Sequence, residues 1–344
     1  MNHLRSNLQI GAPIDAGAFG QVFLGTDDVH GEVAVKRFHQ HPGEADAEWA
    51  NRKAALLQEG QRLSQAAHPN VVQVHYLVES DNGDAMHLVM EYCSGGSLQA
   101  AFENGPLPLL EVRRLATQMS LGLDAIHGRG MLHRDIKPAN ALLSAATVVK
   151  ISDFGLVTDN LVLGYGSQAG YSDHIAREVW LGAGTSVRSD VWALGMTIYR
   201  LIHGAEWYSR LKDDPGNVIR DGGFAASLPW LPHVPDGWRR VVRKMMHDDP
   251  HHRYQNAHEV MNALAGLSTE PNWTCEVTPD EIRWLCEIHG RKRIVVWTRY
   301  SERRHEWRAW SEPNGAGRKR TLSGSEGIVS YSTSERQLKD FFSA

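Results

Sequence analysis

The sequence predicts an α+β protein with a strand-rich small lobe, a hinge, a larger helical lobe and a small α+β module behind them. Three observations carry this. Up to about residue 90 the apolar residues fall mainly in short runs bounded by turn-formers, the pattern of strands. Beyond it they recur every three or four positions, the pattern of amphipathic helices. Near residue 267 the composition changes again, and the stretch from 268 to 344 holds five of the 11 tryptophans. At roughly 100–200 residues per domain, 344 residues fit two units. The expected units are 1–267, with lobes 1–90 and 91–267, and 268–344.

In chain order, Gln21 to Gly25 and Glu32 to Lys36 read as strands separated by the turn-rich Thr26 to Gly31. An Ala-, Gln-, Glu- and Leu-rich stretch from about Ala45 to Gln65 reads as a helix, broken by His68-Pro69-Asn70. Strand character resumes from Val71 to Val78 and from Met86 to Met90, followed by a Gly/Ser-rich connector at Cys93 to Ser97. Val112, Leu115, Met119, Leu123 and Ile126 then share one face of a helix closed by Gly128 or Gly130. Val191 to Ile202, about 12 residues of mostly apolar character, is too short to span a bilayer, which takes roughly 20, and reads as a buried helix.

In the last unit, Ser268 to Asn272 is linker-like. Thr278-Pro279-Asp280-Glu281 carries a helix-start signal, with Thr as N-cap, Pro at N1 and Glu at N3, so a helix is expected from there to Gly290. Strands are expected at Ile294 to Tyr300 and His305 to Ser311, a turn at Asn314-Gly315, and a final helix from Ser332 to Phe342.

The net charge of −4 argues against wholesale binding to nucleic acid. Three widely spaced cysteines, Cys93, Cys275 and Cys286, make neither a zinc clamp nor a disulfide framework, which points to a reducing, cytoplasmic setting. The first ten residues have no apolar run and do not read as a secretory signal, and no membrane association is expected. The 18 histidines, including the pairs His39/His41 and His251/His252, lack partners at metal-ligand spacing and read as solvated or packed side chains.

The densest chemistry lies in His133-Arg134-Asp135-Ile136-Lys137-Pro138-Ala139-Asn140. Phosphoryl transfer needs a carboxylate to orient a hydroxyl and take its proton, a cation for the transferred group, and an oxygen ligand for Mg²⁺. Asp135, Lys137 and Asn140 offer these from one short loop. Asp153-Phe154-Gly155 comes next, preceded by the apolar strand Val148 to Ile151. A hairpin joining the two segments would set Asp153 beside Asn140, two oxygen ligands for one metal.

Together these segments resemble the catalytic loop and metal-binding triplet of the eukaryotic-type (Hanks-type) serine/threonine protein kinases, and the resemblance extends over about residues 8 to 265. It implies a bilobal protein-kinase-like fold and ATP with Mg²⁺ as cofactors. Asp15 to Val22 resembles the glycine-rich loop, with Gly17, Gly20 and Val22 at the nucleotide. Lys36 corresponds to the lysine on the α- and β-phosphates and Glu59 to its helix partner. Met90 falls at the gatekeeper position, and Glu91 to Cys93 at the hinge that holds adenine. Asp190 corresponds to the aspartate that braces the catalytic loop, and Arg253 to the arginine that pairs with Glu178. Lys137, two residues after Asp135, is the serine/threonine pattern. Arg134 implies regulation by phosphorylation of the activation loop, where Thr158, Ser167 and Ser172 are candidate acceptors.

The sequence departs from the family in three places. Asp15 replaces the first glycine and sets a carboxylate near the nucleotide. Ala176-Arg177-Glu178 stands for Ala-Pro-Glu. Gly170-Tyr171 stands for Gly-Thr, which bears on the substrate pocket. The expected function is ATP-dependent phosphorylation of Ser/Thr hydroxyls on proteins, including the chain's own activation loop. Two alternatives share the fold, an inactive pseudokinase scaffold and a small-molecule kinase. Retention of Lys36, Asp135 and Asp153 weighs against the first, and Lys137, Asp-Phe-Gly and Asp-x-Trp-x-x-Gly against the second. In residues 268–344, basic clusters interleave with Trp297, Tyr300, Trp307 and Trp310, a pattern that could bind nucleic acid or dock a protein. However, 13 basic residues stand against 11 acidic ones there, so a Trp-rich core under a charged surface is the favoured expectation.

Overall fold

The computed structural model describes residues 7–17, 20–64, 67–80, 83–153, 172–211 and 214–344, although the side chains of 15–17, 20, 59, 62, 63 and 172 are outside that description. The small lobe is an antiparallel sheet of β1 (Gln9–Gly17), β2 (Gly20–Asp27), β3 (Gly31–His39), β4 (Val74–Glu79) and β5 (Ala85–Glu91), in the order β1-β2-β3-β5-β4. Helix α1 (Asp46–Ser64) packs on β4. Its Trp49 is buried and lies under the Arg52 guanidinium at 4.3 Å. β3 and β5 are the lobe's two well-buried strands: Val33 to Lys36 and Ala85 to Met90 are all buried, as in a central strand covered on both faces.

The large lobe holds α2 (Leu98–Asn104), α3 (Leu109–His127), the two-stranded β6 (Ala141–Leu143) and β7 (Val149–Ile151), α4 (Arg177–Trp180), α5 (Val187–Tyr208), α6 (Pro215–Asp221), α7 (Phe224–Ser227), α8 (Asp236–Met245) and α9 (Ala257–Ala265). α3 buries Val112, Leu115, Met119, Leu123 and Ile126 along one stripe. α5 is mostly apolar and is buried on every side from Ser189 to Gly204, with Asp190, Arg200 and His203 among the covered residues, as in a central core helix. Its start is a capping box between Ser186 and Ser189. Its path breaks at Gly204 (φ +71°), where a side chain would strike the Gly105–Pro106 backbone.

The lobes are joined by backbone pairing as well as by the hinge. The Ile151 amide donates to the Asn70 carbonyl (3.0 Å), the Val72 amide donates to the Ile151 carbonyl (3.0 Å), and Asn70 Nδ2 donates to the Val149 carbonyl (2.8 Å). α3 passes so close that any side chain at Gly122 would meet the Asn70 carbonyl at 2.4 Å. Asn70 thus converts the helix-breaking His68-Pro69-Asn70 into a clasp between lobes.

The last unit is a five-stranded antiparallel sheet in the order β12-β11-β10-β9-β8, with one helix. The strands are β8 (Thr274–Val277), β9 (Glu281–Ile288), β10 (Arg291–Arg299), β11 (His305–Pro313) and β12 (Arg320–Gly324), and the helix is α10 (Tyr331–Ser343). The helix expected from Thr278 to Gly290 is instead the end of a turn and strand β9. The cap bond does form, since the Glu281 amide donates to Thr278 Oγ1 at 3.1 Å, but it closes a hairpin turn. The strand beyond it alternates with period two, burying Ile282, Trp284 and Cys286 and exposing Arg283, Leu285 and Glu287. His289 (φ +50°) and Gly290 (φ +70°) then make a two-residue hairpin loop in the doubly left-handed geometry that suits strand twist.

The buried face of this sheet is not sealed by α10 alone. Trp273, Trp284, Trp297, Trp307 and Leu338 belong to one apolar cluster with the large-lobe core. Trp284 Nε1 donates to Nδ1 of His233 in the lobe (2.9 Å), and Phe342 packs on Trp273, Trp284 and His233. Lys339 pairs with Asp236 of α8 (3.1 Å), and Arg210 donates to the Thr278 carbonyl (2.9 Å). Replacing Trp284 by Ala should therefore cost about 3–5 kcal/mol. Trp284→Phe, which mainly strands His233, should cost about 1–3 kcal/mol. In urea titrations of the whole chain, both variants should shift one common transition of lobe and module. A module transition that moves by itself would contradict the shared core.

Candidate active site

Asp190, near the start of α5, organises the catalytic loop. Its Oδ2 accepts from the His133 amide (2.9 Å) and meets His127 Nε2 (2.8 Å), while Oδ1 accepts from the Arg134 amide (2.8 Å). Two successive amides converge on one carboxylate because Arg134 holds a left-handed backbone, φ +72°, which costs a non-glycine residue of order 1–3 kcal/mol. Burial would push the Asp190 carboxyl up; the His127 hydrogen bond, the neighbouring histidines and the His133 amide outweigh it and hold it below the ordinary range.

The loop so held presents Asp135. Asn140 Nδ2 donates to Asp135 Oδ2 (2.7 Å) and to its carbonyl (2.9 Å), and Lys137 Nζ lies 2.8 Å from Oδ2. Pro138–Asn140 form a 3₁₀ turn that leads into β6. β6 pairs with β7, Ala141 opposite Ile151, and the Ser152 amide donates to the Asn140 carbonyl at 2.9 Å. The hairpin thereby brings Asp153 and Asn140 together. Asp153 also has a left-handed backbone, φ +61°.

From the small lobe, Lys36 on β3 reaches across to Asp153, Nζ to Oδ1 at 2.8 Å. Lys36 is 2% exposed, so its charge is directed into the cleft rather than at bulk solvent. Burial by itself raises the Asp153 carboxyl, but the Lys36 charge and hydrogen bond prevail and lower it. Glu59 lies on α1 with its side chain outside the described residues. Gly17 and Gly20 face each other across the β1–β2 connection, and Asp15 pairs in register with Val22. Val22, Ala34, Val72, Met90, Tyr92, Cys93 and Leu142 form an apolar cluster drawn from both lobes, a seat suited to a flat heteroaromatic ring. Ala34, Val72 and Leu142 have no polar signature in the sequence, and only their position beside Lys36, Asn70 and Asn140 could have drawn attention to them. The Cys93 thiol is pushed up to about 11 by burial and by Glu91. Glu91 itself turns to Lys150 (3.0 Å) and accepts from the Gln73 amide (3.3 Å), bracing hinge to large lobe.

Asp153 and the Asn140 amide oxygen are hard oxygen donors, a set that fits Mg²⁺. Among the described residues no three His, Cys, Asp or Glu side chains converge as a metal cage. A metal here would complete its shell with phosphate and water oxygens, as Mg²⁺ commonly does.

Glu178 of α4 holds Arg253 through two bonds, 2.7 and 2.6 Å, with the arginine side chain fully buried. Removing either partner would cost about 3–5 kcal/mol. Thr158 and Ser167 lie outside the described residues, as do Phe154, Gly170 and Tyr171. Ser172 opens the short turn Ser172–His174. His174 Nδ1 donates to the Ile136 carbonyl (2.9 Å), one residue from Asp135.

The family model for the protein kinase domain matches residues 8–264, and the chain belongs to that family. Among similar curated proteins, the serine/threonine-protein kinase pkn2 of Myxococcus xanthus is 33% identical over 271 residues, covering 74% of this chain and 31% of that protein. The serine/threonine-protein kinase ssp1 of Schizosaccharomyces pombe is 27% identical over 95% of this chain and 55% of its own length. Mitogen-activated protein kinase kinase kinase 3 of Arabidopsis thaliana is 30% identical over 70% and 38%, respectively. The chain thus spans about a third to a half of the length of these relatives.

Three histidines are held neutral by burial, with pKa values lowered to about 3: His174 at the site, His203 in α5 and His233 beneath Trp284. The unfolded chain binds these protons below about pH 6.5 while the folded chain refuses them until far lower. Their contribution to stability is full above pH 6.5 and is lost as pH falls toward 3, by up to about 1.4 kcal/mol per pH unit for each. Asp153 and Asp190, with lowered pKa values, add a loss only below about pH 4. Urea midpoints should therefore decline between pH 7 and 5, and His203→Phe should flatten the decline. A midpoint constant over that range would refute the neutral-histidine account.

Proposed function

We propose that the chain is a protein serine/threonine kinase that transfers the γ-phosphoryl group of ATP to Ser or Thr hydroxyls of protein substrates, its own activation loop among them. The observation that carries this reading is the convergence of Asp135, Lys137 and Asn140 from one loop, and of Asp153 from the adjoining hairpin, on the cleft that Lys36 enters from the small lobe. Bound at Asp153 and Asn140, Mg²⁺ would neutralise phosphate charge. Asp135 orients the acceptor hydroxyl and takes its proton. Lys137, which rests on Asp135 here, is long enough to turn its ammonium toward the transferred group and offset its charge. Lys36 aligns the remaining phosphates, and Gly17 and Gly20 let the β1–β2 backbone approach them. Met90 and the Glu91–Cys93 hinge border the adenine seat. These groups act mainly by positioning and charge, so losing one slows the reaction without unfolding the chain. The phosphorylation of Thr158, Ser167 or Ser172 and pairing with Arg134 form part of the same proposal. So does a reducing, cytoplasmic location, supported by three unpaired cysteines; no described helix is long and apolar enough to cross a membrane.

For the last unit we favour a structural role over nucleic-acid binding. Four of its five tryptophans, Trp273, Trp284, Trp297 and Trp307, are buried and cannot stack on bases. Trp310 is partly covered by Lys319, whose ammonium sits 3.9 Å from the ring. The whole chain should fail to retard single-stranded oligonucleotides at low salt, and a salt-sensitive shift would overturn that assignment.

Transfer of labelled phosphate from Mg·ATP to the chain and to a generic Ser/Thr substrate tests the activity. Asp135→Asn should be slower by about 100-fold or more with an unchanged melting temperature. If folded, ATP-binding wild type transfers nothing, the scaffold reading replaces this one.

A further inference from the structure

Along β11 the side chains alternate: His305, Trp307, Ala309 and Ser311 are buried, while Glu306, Arg308 and Trp310 are turned outward. These three form the floor of a cleft of about 690 Å³, walled by β10 on one side and by β12 with its flanks on the other. It opens on the sheet face turned away from the tryptophan core, and phosphoryl transfer between the lobes makes no use of it.

The floor is held in place from within. Glu306 Oε1 accepts from Arg308 Nε (3.1 Å) and Nη2 (2.7 Å), and Oε2 accepts from the Tyr300 hydroxyl (3.0 Å). Arg308 and Tyr300 keep the Glu306 carboxyl below its ordinary range, so its charge is met inside the cleft. Trp310 is fixed as well: Nε1 donates to Glu312 Oε1 (2.7 Å), and the Lys319 ammonium lies over the ring. The register between β11 and β12 skips Leu322, an irregularity of the kind that re-aims side chains on an edge strand. Just beyond it, Gly324 runs so close to β11 that a Cβ would meet the Trp307 carbonyl at 3.0 Å.

The groups left over are donors. Arg308 spends Nε and Nη2 on Glu306 and keeps Nη1, on a side chain that is 73% exposed. Lys319, 58% exposed, has a Glu312 oxygen no nearer than 3.9 Å. The hydroxyls of Thr298, Thr321 and Ser323 also line the cleft, with no partner among the described residues. Two cations stand against one carboxylate in the lining, and exposed Arg318 and Arg320 flank Lys319 in the chain. The complement of such a set is an anion with several acceptor oxygens. A phosphate monoester carries three of them and nearly two charges, more than a carboxylate offers. The cleft is larger than one phosphate group and ends at β12, whose five residues are all exposed, so an extended chain has room along the edge. A nucleic acid is a poorer match, because Lys319 already occupies the Trp310 ring on which a base would stack.

We infer that this outer cleft binds a phosphorylated Ser or Thr segment of a protein, with Arg308 and Lys319 on the phosphate and Thr298, Thr321 and Ser323 around it. The choice of phosphorylated protein over another phosphate ester rests on the kinase reading, since transfer between the lobes makes that product. Fastened to the large lobe by a shared core, the module would keep a once-phosphorylated protein on the enzyme for further transfer.

Fluorescence anisotropy of the whole chain, without ATP, tests this with a labelled peptide library degenerate around one fixed phosphothreonine. The same library with unmodified threonine is the control. The phosphorylated library should bind about tenfold tighter or better. Arg308→Gln and Lys319→Met should each weaken it about 5- to 20-fold, with melting temperature and transfer to a short generic substrate unchanged. Both side chains are more than half exposed, so their loss leaves the fold intact. Asp135→Asn should bind the library as wild type does. Equal affinity for the two libraries, or wild-type affinity in both cleft variants, would overturn the inference. So would displacement of the phosphorylated library by a single-stranded oligonucleotide as readily as by unlabelled phosphopeptide. Because the libraries are synthetic, binding by a wild type that transfers no phosphate would sink the kinase reading and leave the phosphate site in place.

Discussion

The arrangement depends first on one buried carboxylate. Asp190 sits in the buried central helix of the large lobe, where an isolated charge would be untenable, and it is made tolerable by two amides and a histidine ring that all point at it. The dependence runs both ways. The carboxylate needs those donors, and the donors can reach it only if the chain at Arg134 adopts a conformation it would otherwise avoid. The loop carrying Asp135, Lys137 and Asn140 is thus shaped by a requirement of the core, not by its own preferences. Electrostatic preorganisation of this kind places the reacting groups before any substrate arrives.

The second constraint is the clasp between lobes. Asn70, Val72 and Ile151 share a short run of strand-like pairing, and the Glu91–Lys150 pair adds a charged brace at the hinge. A cleft built from two lobes must keep Lys36 and Asp153 in register even though they are 117 positions apart in the chain. Backbone bonds do this more rigidly than side-chain packing, because they leave no rotamer to relax.

Legibility from sequence tracked the range of the interactions. Asp135, Lys137 and Asn140 lie within six positions, so their chemistry could be read directly. Glu178 with Arg253 could be matched only through resemblance to a family; the same resemblance gave Lys36 the helix partner Glu59, whereas its 2.8 Å contact with Asp153 had no counterpart in the sequence reading. The contacts of Asp173 with Arg200 and Tyr208 left no trace, since these partners are 27 and 35 positions away and obey no period. Helix α3 emerged near its observed limits, whereas of α5 (Val187–Tyr208) only the central run Val191 to Ile202 was foreseen. In the last unit a correct local signal misled: Thr278 does receive the Glu281 amide, yet alternation of Ile282, Trp284 and Cys286 decides the conformation. Strand β12 escaped notice because all five of its residues are exposed and carry no alternation.

The core shared by the large lobe and the last sheet has a consequence for biosynthesis. The lobe surface around His233 emerges from the ribosome well before Trp284 and Phe342, which cover it and lie in the 77 residues from 268 to 344. At roughly 5–20 residues per second, that interval is about 4–15 s. During it the nascent lobe carries an uncovered aromatic face and is a natural client for a chaperone. The same face makes a chain cut at the end of the kinase match a poor choice for recombinant expression, however well such a boundary agrees with the family.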